Sequence, residues 1–178
     1  MSLKHIAAGQ NHCLVLTEDN ELYSWGLGRY GRLGQGHTDI KGLPQKVIFS
    51  TSSLDFSAIS SNSEKSELEM IKNLEGDNVS RQTTNLRSDP IVQITTGDAH
   101  NLVLTSQGRL FTFGYNNQGQ CGHGSSKNLL VAHQIDKVKE ESDIKGENDS
   151  PRWISVAGGR DHSLAVSDAK HVYACGNN

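Results

Sequence analysis

Three histidines, His12, His100 and His162, are the side chains whose type and spacing first suggest chemistry. Each lies three residues after a glycine, in Gly9-Gln10-Asn11-His12, Gly97-Asp98-Ala99-His100 and Gly159-Arg160-Asp161-His162. Three imidazoles form a zinc donor set when they converge, and Asp98 and Asp161 beside them raise a Ser-His-Asp or paired-carboxylate site. A second candidate is Gly26-Leu27-Gly28-Arg29-Tyr30-Gly31, which fits the G-x-G-x-x-G dinucleotide pattern. That pattern must open a helix whose N-terminus holds the pyrophosphate. Here it continues as Arg32-Leu33-Gly34-Gln35-Gly36, a glycine-broken run unsuited to a helix start. No serine occupies a nucleophile elbow, and the chain has no Walker-type loop and no H-E-x-x-H. Cys13, Cys121 and Cys175 form no C-x-x-C pair, and their odd number and wide spacing predict neither a zinc site nor a disulfide framework.

The histidines recur because a whole unit recurs. Residues 6–36 superpose on residues 94–124 at a constant shift of 88. Ile6, Gly9, His12, Leu14, Val15, Leu16, Thr17, Leu22, Gly26, Gly31, Gly34 and Gly36 are each met by the identical residue. A third copy, shifted by a further 62 from Val156 onward, keeps Gly159, His162, Leu164, Ser167, Val172, Tyr173 and Gly176. Such repetition marks an architecture of stacked units. Within one unit, His12 to Thr17 reads as a buried strand, Glu18-Asp19-Asn20 as a tight turn, and Glu21 to Gly26 as a second strand. Glycines from Gly26 to Gly36 then mark a loop that turns sharply or packs closely. A repeated histidine at a strand start is expected to bond backbone groups there, since buried polar atoms need partners. Three equivalent histidines would be set apart around a ring, which argues against one metal site.

Gly9-Gln10-Asn11-His12 with the strand to Thr17, then Leu22-Tyr23-Ser24-Trp25-Gly26 and Tyr30-Gly31-Arg32-Leu33-Gly34, closely resembles the regulator of chromosome condensation repeat. Phe113 and Cys175 stand at the strand-end tryptophan position, and Cys121 stands where the first copy has Leu33. The resemblance implies an all-β fold: β-propeller blades of four-stranded antiparallel sheets, here an incomplete arc of a seven-bladed ring with long loop insertions. The expected layout is a first repeat at 1–48, a Ser-rich insertion at 49–89 and a second repeat at 90–136. A charged loop at 137–152 and a truncated third repeat at 153–178 follow. Glu64 to Leu74 could form one short helix inside the first insertion, with Leu68, Ile71 and Leu74 on one face.

The same resemblance implies a non-enzymatic protein-binding module without cofactor or metal; the alternative is guanine-nucleotide exchange on a Ran-like small GTPase. It also implies that residues between the glycine and the histidine face a partner: Gln10, Asn11, Asp98, Ala99, Arg160 and Asp161. Arg29, Tyr30 and Arg32 are a second candidate set, since Arg and Tyr are over-represented in binding hot spots. The remaining blades, in cis or by self-association, are further expected partners. With a net charge of -3 and no cluster of Lys and Arg, direct nucleic-acid binding is not expected. Neither a signal-peptide core nor an apolar run of membrane-spanning length is present, so an intracellular setting, cytoplasmic or nuclear, is expected.

Overall fold

The computed structural model describes residues 2–50, 86, 88–135 and 151–177. Their regular elements are twelve strands and one 3-10 turn, Arg29–Gly31. The first sheet orders β1 (Leu3–Ala8), β2 (His12–Thr17), β3 (Leu22–Gly26) and β4 (Lys41–Lys46). The second contains β6 (Ile91–Thr96), β7 (His100–Thr105), β8 (Leu110–Gly114) and β9 (Leu129–Gln134). The third consists of β10 (Trp153–Gly158), β11 (His162–Ser167) and β12 (Val172–Gly176). Neighbours within each of these meanders are antiparallel, and His12↔Gly26, His100↔Gly114 and His162↔Gly176 pair at the same register. The helix read at Glu64 to Leu74 lies outside the described residues, as does most of the charged segment 137–152.

The hairpin turns use one left-handed residue each, at equivalent places: Asn20 (φ 63), Gly108 (φ 81) and Lys170 (φ 67). Asn and Gly suit that conformation, whereas a lysine adopts it only when the surrounding hairpin imposes it. Asn20 does more, because its amide donates to Leu86 O at 2.6 Å and accepts from Ile91 N at 2.7 Å. The first sheet's turn is thereby tied to the start of β6.

Strand alternation explains how three sheets share two cores. Leu14, Leu16 and Leu22 of the first sheet meet Val103, Phe111 and Phe113 of the second in one buried cluster. The opposite face of the second sheet sends Leu102, Leu104 and Leu110 against Trp153, Val156 and Ala165 of the third. The contact between sheets therefore repeats, with each sheet buried against the next.

The second sheet carries a strand that the four-stranded expectation does not include. β5 (Phe49–Ser50) pairs in parallel with β9, and Ala132 N donates to Ile48 O at 2.8 Å. Phe49 packs edge-on against Phe111 with ring centroids 5.2 Å apart. The first sheet's tail thus covers the outer edge of the second. At the far end of the Ser-rich segment, Asp89 is 1% exposed and caps the Ser106–Gly108 turn. It accepts from Gln107 N at 2.8 Å and pairs with Arg109 at 2.6 Å. Burial alone would raise its pKa, yet these hydrogen bonds hold the carboxyl below its ordinary value.

The third sheet is less well filled. A cavity of about 140 Å³ lies between it and the second, lined among others by Thr112, Cys121, Trp153, Tyr173 and Cys175. At the equivalent place in the first contact stand Leu33 and Phe113, both fully buried. Two cysteines replacing leucine and phenylalanine leave this space.

Candidate functional site

The first two repeats each deliver two loops to one end of their sheet, Gly-x-x-His before the second strand and the Gly-rich loop after the third. Among the described residues the third repeat delivers Gly-x-x-His. The hairpin turns lie at the opposite end. Gln10, Asn11, Asp98, Arg160, Asp161, Arg29, Tyr30 and Arg32 therefore all belong to one face, called here the loop face.

The Gly-x-x-His loops are threaded together by the backbone. Gln10 N donates to Asp98 O at 3.1 Å, and Asp98 N donates to Arg160 O at 3.2 Å. The next residues repeat a second bond: Leu27 N to Asn11 O, Tyr115 N to Ala99 O and Asn177 N to Asp161 O, at 2.8 to 2.9 Å. Equivalent positions in the three copies thus become neighbours in space. Gln10 and Asn11 are exposed, Asp98 and Asp161 half-buried, and Ala99 buried. Arg160 reaches back to Asp98 at 3.5 Å and to its neighbour Asp161 at 3.4 Å.

The histidines do not converge. His12 Nε2 lies 2.7 Å from Asn101 Oδ1, and His100 Nε2 lies 2.8 Å from Ser163 Oγ. Each ring therefore bonds the residue that follows the histidine of the next repeat. To the expected backbone partners, of which His100 has one at His162, the structure adds a neighbouring side chain that carries the link on to further backbone. Asn101 Nδ2 donates to Arg32 O at 2.9 Å, and Ser163 Oγ donates to Gln120 O at 2.7 Å. Arg32 and Gln120 are equivalent residues of two copies. Since Asn101 Oδ1 and Ser163 Oγ must accept, Nε2 of each histidine carries the proton. Burial pushes both imidazoles below the ordinary histidine pKa, His100 to about 4. They are neutral interlocks between sheets. A Cβ at Gly9 or Gly97 would collide with the histidine ring folded over it, which is why glycine precedes the histidine by three. Among the described residues, no group of three or more His, Cys, Asp and Glu is placed to hold a metal ion.

The Gly-rich loop supplies the aromatic and cationic part of the face. Tyr30 packs against Tyr115 with centroids 4.8 Å apart, joining the loops of two repeats. The guanidinium carbons of Arg29 and Arg32 lie 4.7 and 5.7 Å from the Tyr30 ring centroid. Arg29 is exposed, whereas Arg32 is 4% exposed and donates from Nε to Arg29 O at 2.9 Å. Tyr115 was not singled out from sequence, although an aromatic at the place of Leu27 was a visible signal. Asn101 and Ser163 gave none, because a polar residue after each histidine has meaning only once the next sheet is in place.

Models of the regulator of chromosome condensation (RCC1) repeat match residues 19–62 and 107–166, and a second model of that repeat matches residues 3–32 and 91–120. The chain belongs to this repeat family. Human E3 ubiquitin-protein ligase HERC2 is 30% identical to it over 204 residues, covering 99% of the chain and 4% of the relative. The Arabidopsis thaliana ultraviolet-B receptor UVR8 is 30% identical over 177 residues, covering 99% of the chain and 30% of the receptor. The chain spans less than a third of either relative. Among solved structures, Saccharomyces cerevisiae Prp20p, described with its binding properties to Gsp1p and histones, aligns with a TM-score of 0.63. It is 23% identical, and the alignment covers 99% of this chain and 33% of that one. That likeness establishes the β-propeller fold. The described sheets are consecutive blades of a partial RCC1-type propeller. No helix of the described residues is long and apolar enough to cross a membrane.

Proposed function

We propose that the chain is a non-enzymatic interaction module that binds another protein through its loop face. The observation that carries this reading is the threading of Gln10, Asp98 and Arg160 into one row by backbone hydrogen bonds, beside the Tyr30–Tyr115 pair. The row joins three stretches of backbone whose side chains differ from repeat to repeat, Gln10 and Arg160 exposed and Asp98 half-buried. The aromatic pair with its arginines supplies residue types that dominate binding energy. The groups of the face are bonded to one another, as a preorganised recognition surface requires. The reading also places the module inside the cell, where three free thiols persist, and takes no cofactor.

The test is differential capture from a cell extract, read by quantitative mass spectrometry. Combined Gln10→Ala, Asn11→Ala and Arg160→Ala should release bound proteins that the native chain retains. Glu18→Ala, Asp19→Ala and Gln107→Ala, on the turn face, should retain them. The reverse pattern would overturn the reading. Guanine-nucleotide exchange on a Ran-like small GTPase is the alternative, supported by kinship with the repeat family. Accelerated release of labelled GDP by the purified chain would establish it.

A further inference from the structure

The positive charge of the Gly-rich loop is not balanced within the described structure. Arg160 already has two carboxylates, but neither Arg29 nor Arg32 forms an ion pair among the described residues. Arg32 Nη1 is buried without a hydrogen-bond partner. Burial disfavours its charge and Arg29 adds to that, while Tyr30 and, less strongly, Asp98 favour it. Two like charges thus flank one ring with no anion in contact, although the chain as a whole is acidic at -3.

The ring itself is held in a costly conformation. Tyr30 has φ 66 and ψ 14, in the left-handed region that crowds the Cβ of any residue but glycine. Gln118, its counterpart in the second repeat, is not left-handed. The strain is therefore not a requirement of the repeat; it belongs to this loop, and it sets the ring between Arg29 and Tyr115. Strain of this kind concentrates at ligand-contacting positions.

Resting on the loop face as the binding surface, we propose that the Arg29–Arg32 loop takes an acidic extended segment of the partner protein. A carboxylate would pair with exposed Arg29, and an apolar or aromatic side chain would lie against Tyr30 and Tyr115. Arg32 contributes its field from beneath the ring, since its buried guanidinium is out of reach of a direct pair. Nucleic acid is the competing occupant, and the oligonucleotide probe below tests it.

Fluorescence anisotropy on the full chain tests this with three labelled probes. One is a twelve-residue peptide of four glutamate-glycine-phenylalanine units; the second has glutamine for glutamate; the third is a twelve-nucleotide thymidine oligonucleotide. In low salt, the glutamate peptide should bind about tenfold more tightly than the glutamine peptide, a gap that salt closes and Arg29→Glu removes. Tyr30→Gly should weaken both peptides without lowering the melting temperature, because glycine relieves the left-handed strain. Equal binding of both peptides, binding indifferent to Arg29→Glu, or preference for the oligonucleotide would overturn the proposal. Peptide failure with capture that still depends on Gln10, Asn11 and Arg160 would remove the acidic segment alone. Loss of both would remove the binding-module reading as well.

Discussion

At the scale of the residue, the recurring histidine is an interlock whose neutrality is part of its function. His100 is fully buried and bonded to Ser163, with its pKa lowered to about 4 by burial. The unfolded chain takes up a proton near the ordinary histidine value of 6.5, whereas the folded ring does not until about 4. Stability is therefore intact above about pH 7 and falls as pH drops through 6.5 towards 4. The loss from this one group is bounded at roughly 3 kcal/mol. His123, lowered to about 3 by burial and then by His133, acts in the same direction. Urea denaturation at pH 7.5 and pH 5 should show a clear loss for the native chain and a smaller one for His100→Gln, which keeps a donor towards Ser163. Equal losses in the two would contradict this assignment. The glycine three residues upstream was legible as part of the motif. Its reason, contact with the folded-back imidazole, required coordinates.

At the scale of the element, the hairpins were readable because period, turn residues and strand-end glycines repeat together. Asn20 and Gly108 announced their left-handed turn, while Lys170 could be placed there only by the repeat. β5 was not readable. Two residues show no periodicity, and what makes Phe49–Ser50 a strand is the free edge of β9 beside it. β4 has no such cover among the described residues. Where the second sheet uses Ala132 N to hold Ile48 O, the first has Pro44, which has no N–H to offer. Lys41 and Lys46 at the ends of β4 add charge, another ordinary protection of an exposed edge. The cavity beside Cys175 gives the element-scale prediction. Cys175→Phe restores the residue type that fills the first contact, and Gly122 leaves room for a ring as Gly34 does for Phe113. The substitution should raise the melting temperature by a few degrees, about 1 kcal/mol. A drop would mean that the cavity is too irregular to accept the ring.

At the scale of the molecule, consecutive blades are related by a fixed set of contacts, so residues 88 or 62 apart in sequence become neighbours on one face. The residues of Gly-x-x-His were singled out through the resemblance to the repeat family, and their spacing marks them only as equivalent positions. What the spacing could not convey was the joining of Gln10, Asp98 and Arg160 by main-chain bonds, or the meeting of Tyr30 with Tyr115 across two loops. Both depend on the packing angle between sheets. The face opposite carries the hairpin turns and the ends of β5 and β9, from which the two long segments depart. Exposed apolar side chains on the flanks, Ile6 at 77% and Val172 at 68%, continue the surfaces that are buried at the contacts between sheets. They are where further blades of a propeller would pack. The most direct test of the central claim is site-specific photo-crosslinking in cells, with the reactive side chain placed in turn at positions 10, 29, 18 and 107. The account predicts that positions 10 and 29, on the loop face, yield a cross-linked second protein, while 18 and 107 yield none. Cross-links from 18 and 107 alone would show that the partner sits on the turn face and would contradict the account.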